Sequence, residues 1–175
     1  IKGVPGAGKS VIAAAMVERL RAANEIPVLF FFFRYIIAAN RKSQSLIRDW
    51  IAQLLPYSPR LQAILEPLSS IDIECVSDEQ LWEHLLVGLS SIEKAYCIVD
   101  ALDEMEVDNS DAFLRRLNSF AAFRPKSVKL LMTSRPKEYL QSSLRDASIV
   151  HISLESDLVG KDMEVFVSHR LGSTI

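Results

Sequence analysis

The eight residues GVPGAGKS, Gly3 to Ser10, constrain the fold of this chain more than any other stretch. They satisfy G-x-x-x-x-G-K-[ST] in full and lie where that pattern has a mechanism, between a strand end and an amphipathic helix. Glycines let the backbone wrap a phosphate with its N–H groups, and the N-terminus of the following helix adds partial positive charge. The residues expected to hold a nucleotide are therefore Gly3, Val4, Pro5, Gly6, Ala7, Gly8, Lys9, Ser10 and Val11. Lys9 would reach the β- and γ-phosphates, and the Ser10 hydroxyl would bind Mg²⁺. A glycine-rich turn that merely precedes a helix is the bland alternative, and the complete pattern in this setting outweighs it.

Such a loop is normally fed by a full buried strand at the centre of a sheet. Here only Ile1, Lys2 and Gly3 stand before it, and there is no initiator methionine. The expectation is a first strand truncated at the N-terminus, in an excerpt of a longer polypeptide.

Between the first loop and the end of the chain, apolar runs recur without the alternation of a half-exposed sheet: Val28 to Phe33, Ala95 to Asp100, Val128 to Thr133 and Ser148 to Leu154. Strands covered on both faces read this way. Helical patterns separate them, at Lys9 to Ala23, Ser43 to Leu55, Pro59 to Leu65, Glu79 to Leu89, Asp111 to Phe123 and Lys161 to Arg170. Ser77 with Gln80 forms a capping-box pattern, Ser58 with Pro59 a helix start, and Pro56 a helix stop. Strands alternating with helices predict an α/β domain around a mostly parallel sheet.

The length of 175 residues fits one domain, taken as 1–175, and 49 % apolar content is enough for a core. A net charge of −2 gives no broad electrostatic footprint for nucleic acid or anionic lipid, so neither is expected as a partner. Cys75 and Cys97 make neither a disulfide framework nor a zinc spacing. No apolar run approaches the ~20 residues of a membrane-spanning helix, and no signal peptide is evident. The default compartment is the cytosol.

The run CIVDALDEM, Cys97 to Met105, sets three carboxylates at the end of an apolar segment. Their repulsion costs stability unless a cation offsets it. With a nucleotide in the glycine loop, Asp100 becomes the acid that reaches Mg²⁺, usually through water, at the carboxyl end of a parallel strand where ligands bind. Many NTPases place a water-polarising glutamate directly after this aspartate, and here that position is Ala101. Hydrolysis would then recruit Asp103 or Glu104, or be slow; alternatively these acids only form a solvated, helix-capping loop.

LLMTSRP, Leu130 to Pro136, brings Thr133, Ser134 and Arg135 to another strand end, with Pro136 suited to open the next helix. A guanidinium there can read a γ-phosphate, unless it is a surface arginine on a solvated loop. Arg34 ends the Phe-rich strand similarly and is more simply exposed. His84, His151 and His169 share no metal-ligand spacing, and Trp50 and Trp82 read as core anchors.

GVPGAGKS, QLLP at Gln53 to Pro56, YCIVDALDEM and LLMTSRP, in this order and at these distances, resemble the NACHT domain of STAND-class P-loop NTPases. The Ala101 variant is similar to NACHT domains of fungal receptor-like proteins, which couple effector domains to ankyrin, WD40 or similar repeats. The resemblance implies a three-layer P-loop NTPase with sheet order 5-1-4-3-2, the arginine strand lying between the glycine-loop strand and the Asp100 strand. It also implies a switch that oligomerises on activation. The expected function is thus binding of ATP or GTP with Mg²⁺ and slow hydrolysis, with Asp103, Glu104 and Arg135 as the catalytic group. A non-hydrolysing scaffold module is the alternative, and a small-molecule kinase a weaker one because no arginine-bearing lid is visible. No N-K-x-D guanine-reading motif occurs, which leaves ATP and GTP both open.

Overall fold

A computed structural model of the chain describes residues 1–23, 25–68, 75–106, 110–123, 127–144 and 149–154. Strand β1 (Lys2–Gly3) leads through the glycine loop to helix α1 (Lys9–Ala23). Next come β2 (Val28–Phe32), α2 (Ser43–Leu54), α3 (Pro59–Leu65), α4 (Asp78–Ser90) and β3 (Ala95–Asp100). The chain continues with α5 (Ser110–Phe123), β4 (Val128–Met132), α6 (Glu138–Ser143) and β5 (Ser153–Leu154).

β2, β3 and β4 pair in parallel in that order, and β1 pairs in parallel with β5. A parallel bridge from Lys2 to Ser134, just past β4, joins the two groups. The strand order is therefore 5-1-4-3-2, and each crossover between parallel neighbours is helical, as parallel pairing requires.

The unbroken apolar runs have a structural cause. Leu29 and Phe31 of β2, with Phe33 just past its end, pack into the cluster formed with α2, α4 and α5, while Phe30 and Phe32 lie against Val28, Ile98 and the buried face of α1, Ala13 and Val17. Alternate side chains thus enter two cores, and neither face is left for polar residues. The larger core holds Trp50, Leu54, Leu61, Leu85 and Leu89 essentially dry, each such side chain contributing roughly 1.5–3 kcal/mol. Trp50 and Trp82 stand in this core beside Phe120, at ring-centroid distances of 5.7 and 6.2 Å.

Local signals fall where expected. Ser77 and Gln80 close both halves of the capping box on α4, and Ser58 caps α3, accepting from the Leu61 N–H at 3.2 Å with Pro59 at the first helical position. α2 ends at Leu54, and Pro56 lies in the 3₁₀ turn that follows. As the outermost strand, β2 needs protection on its open edge. The Gln53 amide supplies it, accepting from the Phe30 N–H and donating to the Phe30 carbonyl, both at 2.9 Å, as a neighbouring strand would.

Two expectations change in extent. Of the strand predicted over Ser148 to Leu154, Ser148 lies outside the described residues, and among 149–154 the ladder with β1 covers Ser153–Leu154, opposite Lys2 and Gly3. A cavity of about 540 Å³ opens beside them, lined by Ile1, Leu130, Met132, Leu140, Leu144 and Ile152 among others. The segment after Pro136 is a six-residue helix beginning at Glu138. The helix expected at Lys161 to Arg170, and His169, lie outside the described residues.

Candidate functional site

The glycine loop turns on two left-handed residues, Gly6 at φ 82° and Gly8 at φ 76°, a conformation that costs a side-chain-bearing residue about 1–2 kcal/mol. The Ile12 N–H reaches the Gly8 carbonyl at 2.9 Å, so helical bonding begins at the loop's end. Lys9 folds back across the loop, its Nζ donating to the carbonyls of Gly3 and Val4 at 2.8 and 2.9 Å. Val4, Pro5, Gly6, Ser10 and Val11 are exposed, and Ala7, Gly8 and Lys9 are half-buried.

A continuous set of bonds ties this loop to the other strand ends. The Gly3 N–H donates to the Ser134 carbonyl at 3.3 Å, and the Ser134 N–H to the Ile1 carbonyl at 3.1 Å. The neighbouring Thr133, 1 % exposed, donates its hydroxyl to Asp100 Oδ1. Asp100 is 3 % exposed. The loop, Asp100 and Arg135 thus gather at one edge of the sheet, through the β1–β4–β3 adjacency.

Beyond Asp100 the chain reverses at Ala101, which has φ 54° and ψ 46° and is the one non-glycine residue at positive φ among those described. The Ala101 N–H donates to Thr133 Oγ1 at 3.1 Å and the Leu102 N–H to the Thr133 carbonyl at 3.0 Å, which fixes the reversal against β4. A 3₁₀ turn over Leu102–Glu104 follows. It brings Asp103 to Arg135: Oδ1 accepts the Arg135 backbone N–H at 2.8 Å, and Oδ2 lies 3.4 Å from Nε.

Glu104 stands near the same guanidinium, Oε1 at 3.7 Å from Nη2, while its Oε2 accepts the Tyr35 N–H at 2.9 Å. The Asp103 side chain is 4 % exposed and the Glu104 side chain 28 %, so Glu104 has the freer access to water. Tyr139, close to this cluster, has its phenol held above the usual range by burial and then by the Asp103 charge. Burial alone pushes the Cys97 thiol, inside β3, far up.

Arg34 is exposed at the end of β2, and its carbonyl accepts the Ile37 N–H at 3.1 Å. His84 is half-buried and His151 exposed, and no group of three or more His, Cys, Asp or Glu suited to a metal exists among the described residues. An Mg²⁺ site of the expected kind needs no such group, since one hydroxyl and one carboxylate serve beside phosphate oxygens. An exposed Ser10 and a buried Asp100 at the end of β3 fit that donor set. Sequence reasoning set Thr133 at this edge without giving it a partner, and it gave no sign of Tyr35, whose contribution is a backbone N–H.

The order 5-1-4-3-2, helices on both faces and a glycine loop opening α1 define the three-layer fold of P-loop NTPases in its NACHT-like form. The chain belongs to the family described as nephrocystin 3, N-terminal, whose model matches residues 1–135. Among solved structures it is similar to Cdc6p from Pyrobaculum aerophilum, at 17 % identity and a TM-score of 0.54, covering 84 % of this chain and 34 % of that one. It is also similar to the Orc1 protein of Aeropyrum pernix in complex with DNA, at 16 % identity and a TM-score of 0.57, covering 88 % and 38 %. The chain thus spans little more than a third of either protein, and the likeness is one of fold. Comparison with curated proteins finds no match.

Proposed function

We propose that this domain is a nucleotide-dependent switch that binds ATP or GTP with Mg²⁺, hydrolyses it slowly and senses the γ-phosphate through Arg135. The loop from Gly3 to Val11 would cradle the phosphates, Lys9 exchanging its bonds to the Gly3 and Val4 carbonyls for phosphate oxygens. Ser10 and Asp100 would hold Mg²⁺, which when bound neutralises charge on those oxygens. Glu104, less buried than Asp103, is the better candidate to orient water.

The observation that carries this reading is the bonded route from Gly3 through Ser134 and Thr133 to Asp100, which supports one site built from three strand ends. Within a longer receptor-like chain, such a switch would control homo-oligomerisation and the output of effector and repeat domains. A balanced charge argues against a nucleic-acid partner, and no helix among the described residues is long and apolar enough to cross a membrane.

Single-turnover hydrolysis of labelled ATP and GTP tests the proposal. Turnover slower than about 10⁻² s⁻¹, Mg²⁺-dependent and abolished by Lys9→Ala, is the expected result for a site whose water-orienting group is poorly placed. Turnover no faster than in Lys9→Ala would sink the hydrolytic claim. Tight binding without turnover would favour the non-hydrolysing module, a reading to which the Ala101 position and the burial of Asp103 lend weight.

A further inference from the structure

Arg135 does not stand alone at the strand end. Its backbone N–H and Nε are taken by Asp103 and its Nη2 faces Glu104, so the group proposed to meet a γ-phosphate already has two carboxylates as counterions. Glu104 has a second engagement on the far side, the Tyr35 N–H at 2.9 Å. Tyr35 opens an exposed turn after β2: Tyr35 is 69 % exposed, Ile36 96 % and Ile37 42 %. The other end of that segment is also fastened to the acidic turn, Arg41 pairing with Glu106 at 2.8 Å and its carbonyl accepting the Glu106 N–H at 2.9 Å. The Arg41 guanidinium lies 5.2 Å from the Tyr35 ring centroid.

We propose that Glu104 is a positioning residue that clamps Arg135 in competition with the γ-phosphate and transmits the release of that clamp to the apolar turn Tyr35–Ile37. This rests on the nucleotide-switch reading above. Glu104 faces Nη2 at 3.7 Å, so a γ-phosphate that draws Nη2 to itself competes with Glu104 for that nitrogen and weakens the pair. Glu104 then loses one of its two anchors and gains a phosphate as a like-charged neighbour. Its remaining bond to the Tyr35 N–H loosens, and the exposed turn is freed at one end. A diphosphate makes no demand on Arg135 and leaves both engagements in place. Linkage requires the reverse effect as well: weakening the clamp must favour the triphosphate.

Two variants separate the halves of the clamp. Glu104→Gln keeps a carbonyl oxygen for the Tyr35 N–H but removes the charge facing Arg135, whereas Glu104→Ala removes both. Equilibrium affinities are measured for a non-hydrolysable ATP analogue and for ADP with Mg²⁺, together with hydrogen exchange at the Tyr35 amide. Glu104→Gln should raise analogue affinity about two- to five-fold, the worth of a partly exposed ion pair, and leave ADP affinity unchanged. In the parent protein the Tyr35 amide should exchange faster with the analogue than with ADP. Without nucleotide, protection of that amide should fall from parent to Glu104→Gln, which has lost the Arg135 anchor, and be lost in Glu104→Ala.

Equal analogue affinity in parent and Glu104→Gln, or Tyr35 exchange indifferent to the third phosphate, overturns the coupling while the cradle reading stands on the ADP affinity. Failure of the parent to bind either nucleotide overturns both. A residue that only orients water would lower turnover and leave the exchange of the Tyr35 amide indifferent to the third phosphate.

Discussion

Replacing Thr133 with valine removes one oxygen from the point where β3, β4 and the acidic turn meet, and leaves the shape of the side chain intact. The hydroxyl donates to Asp100 Oδ1 and accepts the Ala101 N–H at 3.1 Å, while Thr133 itself is 1 % exposed. Its backbone bonds, N–H to the Val99 carbonyl at 2.9 Å and carbonyl from the Leu102 N–H at 3.0 Å, do not involve the side chain and survive. A hydrogen bond to a charged group is worth about 1.5–3 kcal/mol, and stranding the Ala101 N–H adds about 1–3 kcal/mol. The added methyl returns roughly 0.8 kcal/mol of apolar burial. The net loss expected is about 2–5 kcal/mol, a large part of the ~5–15 kcal/mol that holds a domain together.

Equilibrium urea unfolding at pH 7 measures this, with Thr133→Ser beside it as the variant that keeps the hydroxyl and loses only the methyl. The serine variant should lose about 1 kcal/mol. Thr133→Val within about 0.5 kcal/mol of the parent, or more stable than Thr133→Ser, would refute the claim that this hydroxyl orders Asp100 and the reversal at Ala101. If the hydroxyl also presents Asp100 to the metal, Thr133→Val should weaken Mg²⁺-dependent nucleotide binding more than Mg²⁺-independent binding.

Ala101 should tolerate glycine but not a branched side chain: Ala101→Gly at least matches the parent in thermal unfolding, and Ala101→Val loses about 1–2 kcal/mol because it must adopt positive φ. Equal melting points for the two would deny the left-handed turn. Gln53→Ala strips the open edge of β2 of two bonds, so it should cost about 1–2 kcal/mol in urea unfolding and raise light scattering on heating. Thiol titration of the native chain should find one reactive cysteine, the exposed Cys75, and two after denaturation. Rapid native modification of Cys97, dry within β3 and with its thiol pushed up by burial, would contradict the sheet's two-sided coverage.

The parts of the fold and site that were legible in the sequence are those whose signal is local. GVPGAGKS carries its own backbone requirements, met by Gly6 and Gly8 at positive φ, and the apolar runs mark strands because both faces of β2 and β3 are covered. Asp100 is legible for the same reason, as a lone acid that closes a buried run. Strand extent was less legible: the composition of a strand runs through 149–154, whereas the ladder with β1 covers Ser153–Leu154, because composition marks burial and a ladder needs a partner opposite. Thr133 is ordinary in its own segment. Only the β3–β4 register, Val99 opposite Met132, sets its hydroxyl beside Asp100.

Ala101 is where the two readings differ most in meaning. By sequence it is a slot left without a glutamate, a deficit in a hydrolytic site. By structure it is a left-handed residue at which the chain leaves β3 and doubles back, and there a long or branched side chain is penalised by its own backbone. A more extended path through this position would not return Asp103 to the Arg135 N–H or Glu104 to the Tyr35 N–H, because both contacts depend on the 3₁₀ turn that begins at once at Leu102. The small residue is therefore a condition for clustering those acids around Arg135. On the proposed function, the site gives up a base fixed next to Asp100 and gains carboxylates that an arginine can hold or release. That arrangement suits a switch that turns over slowly.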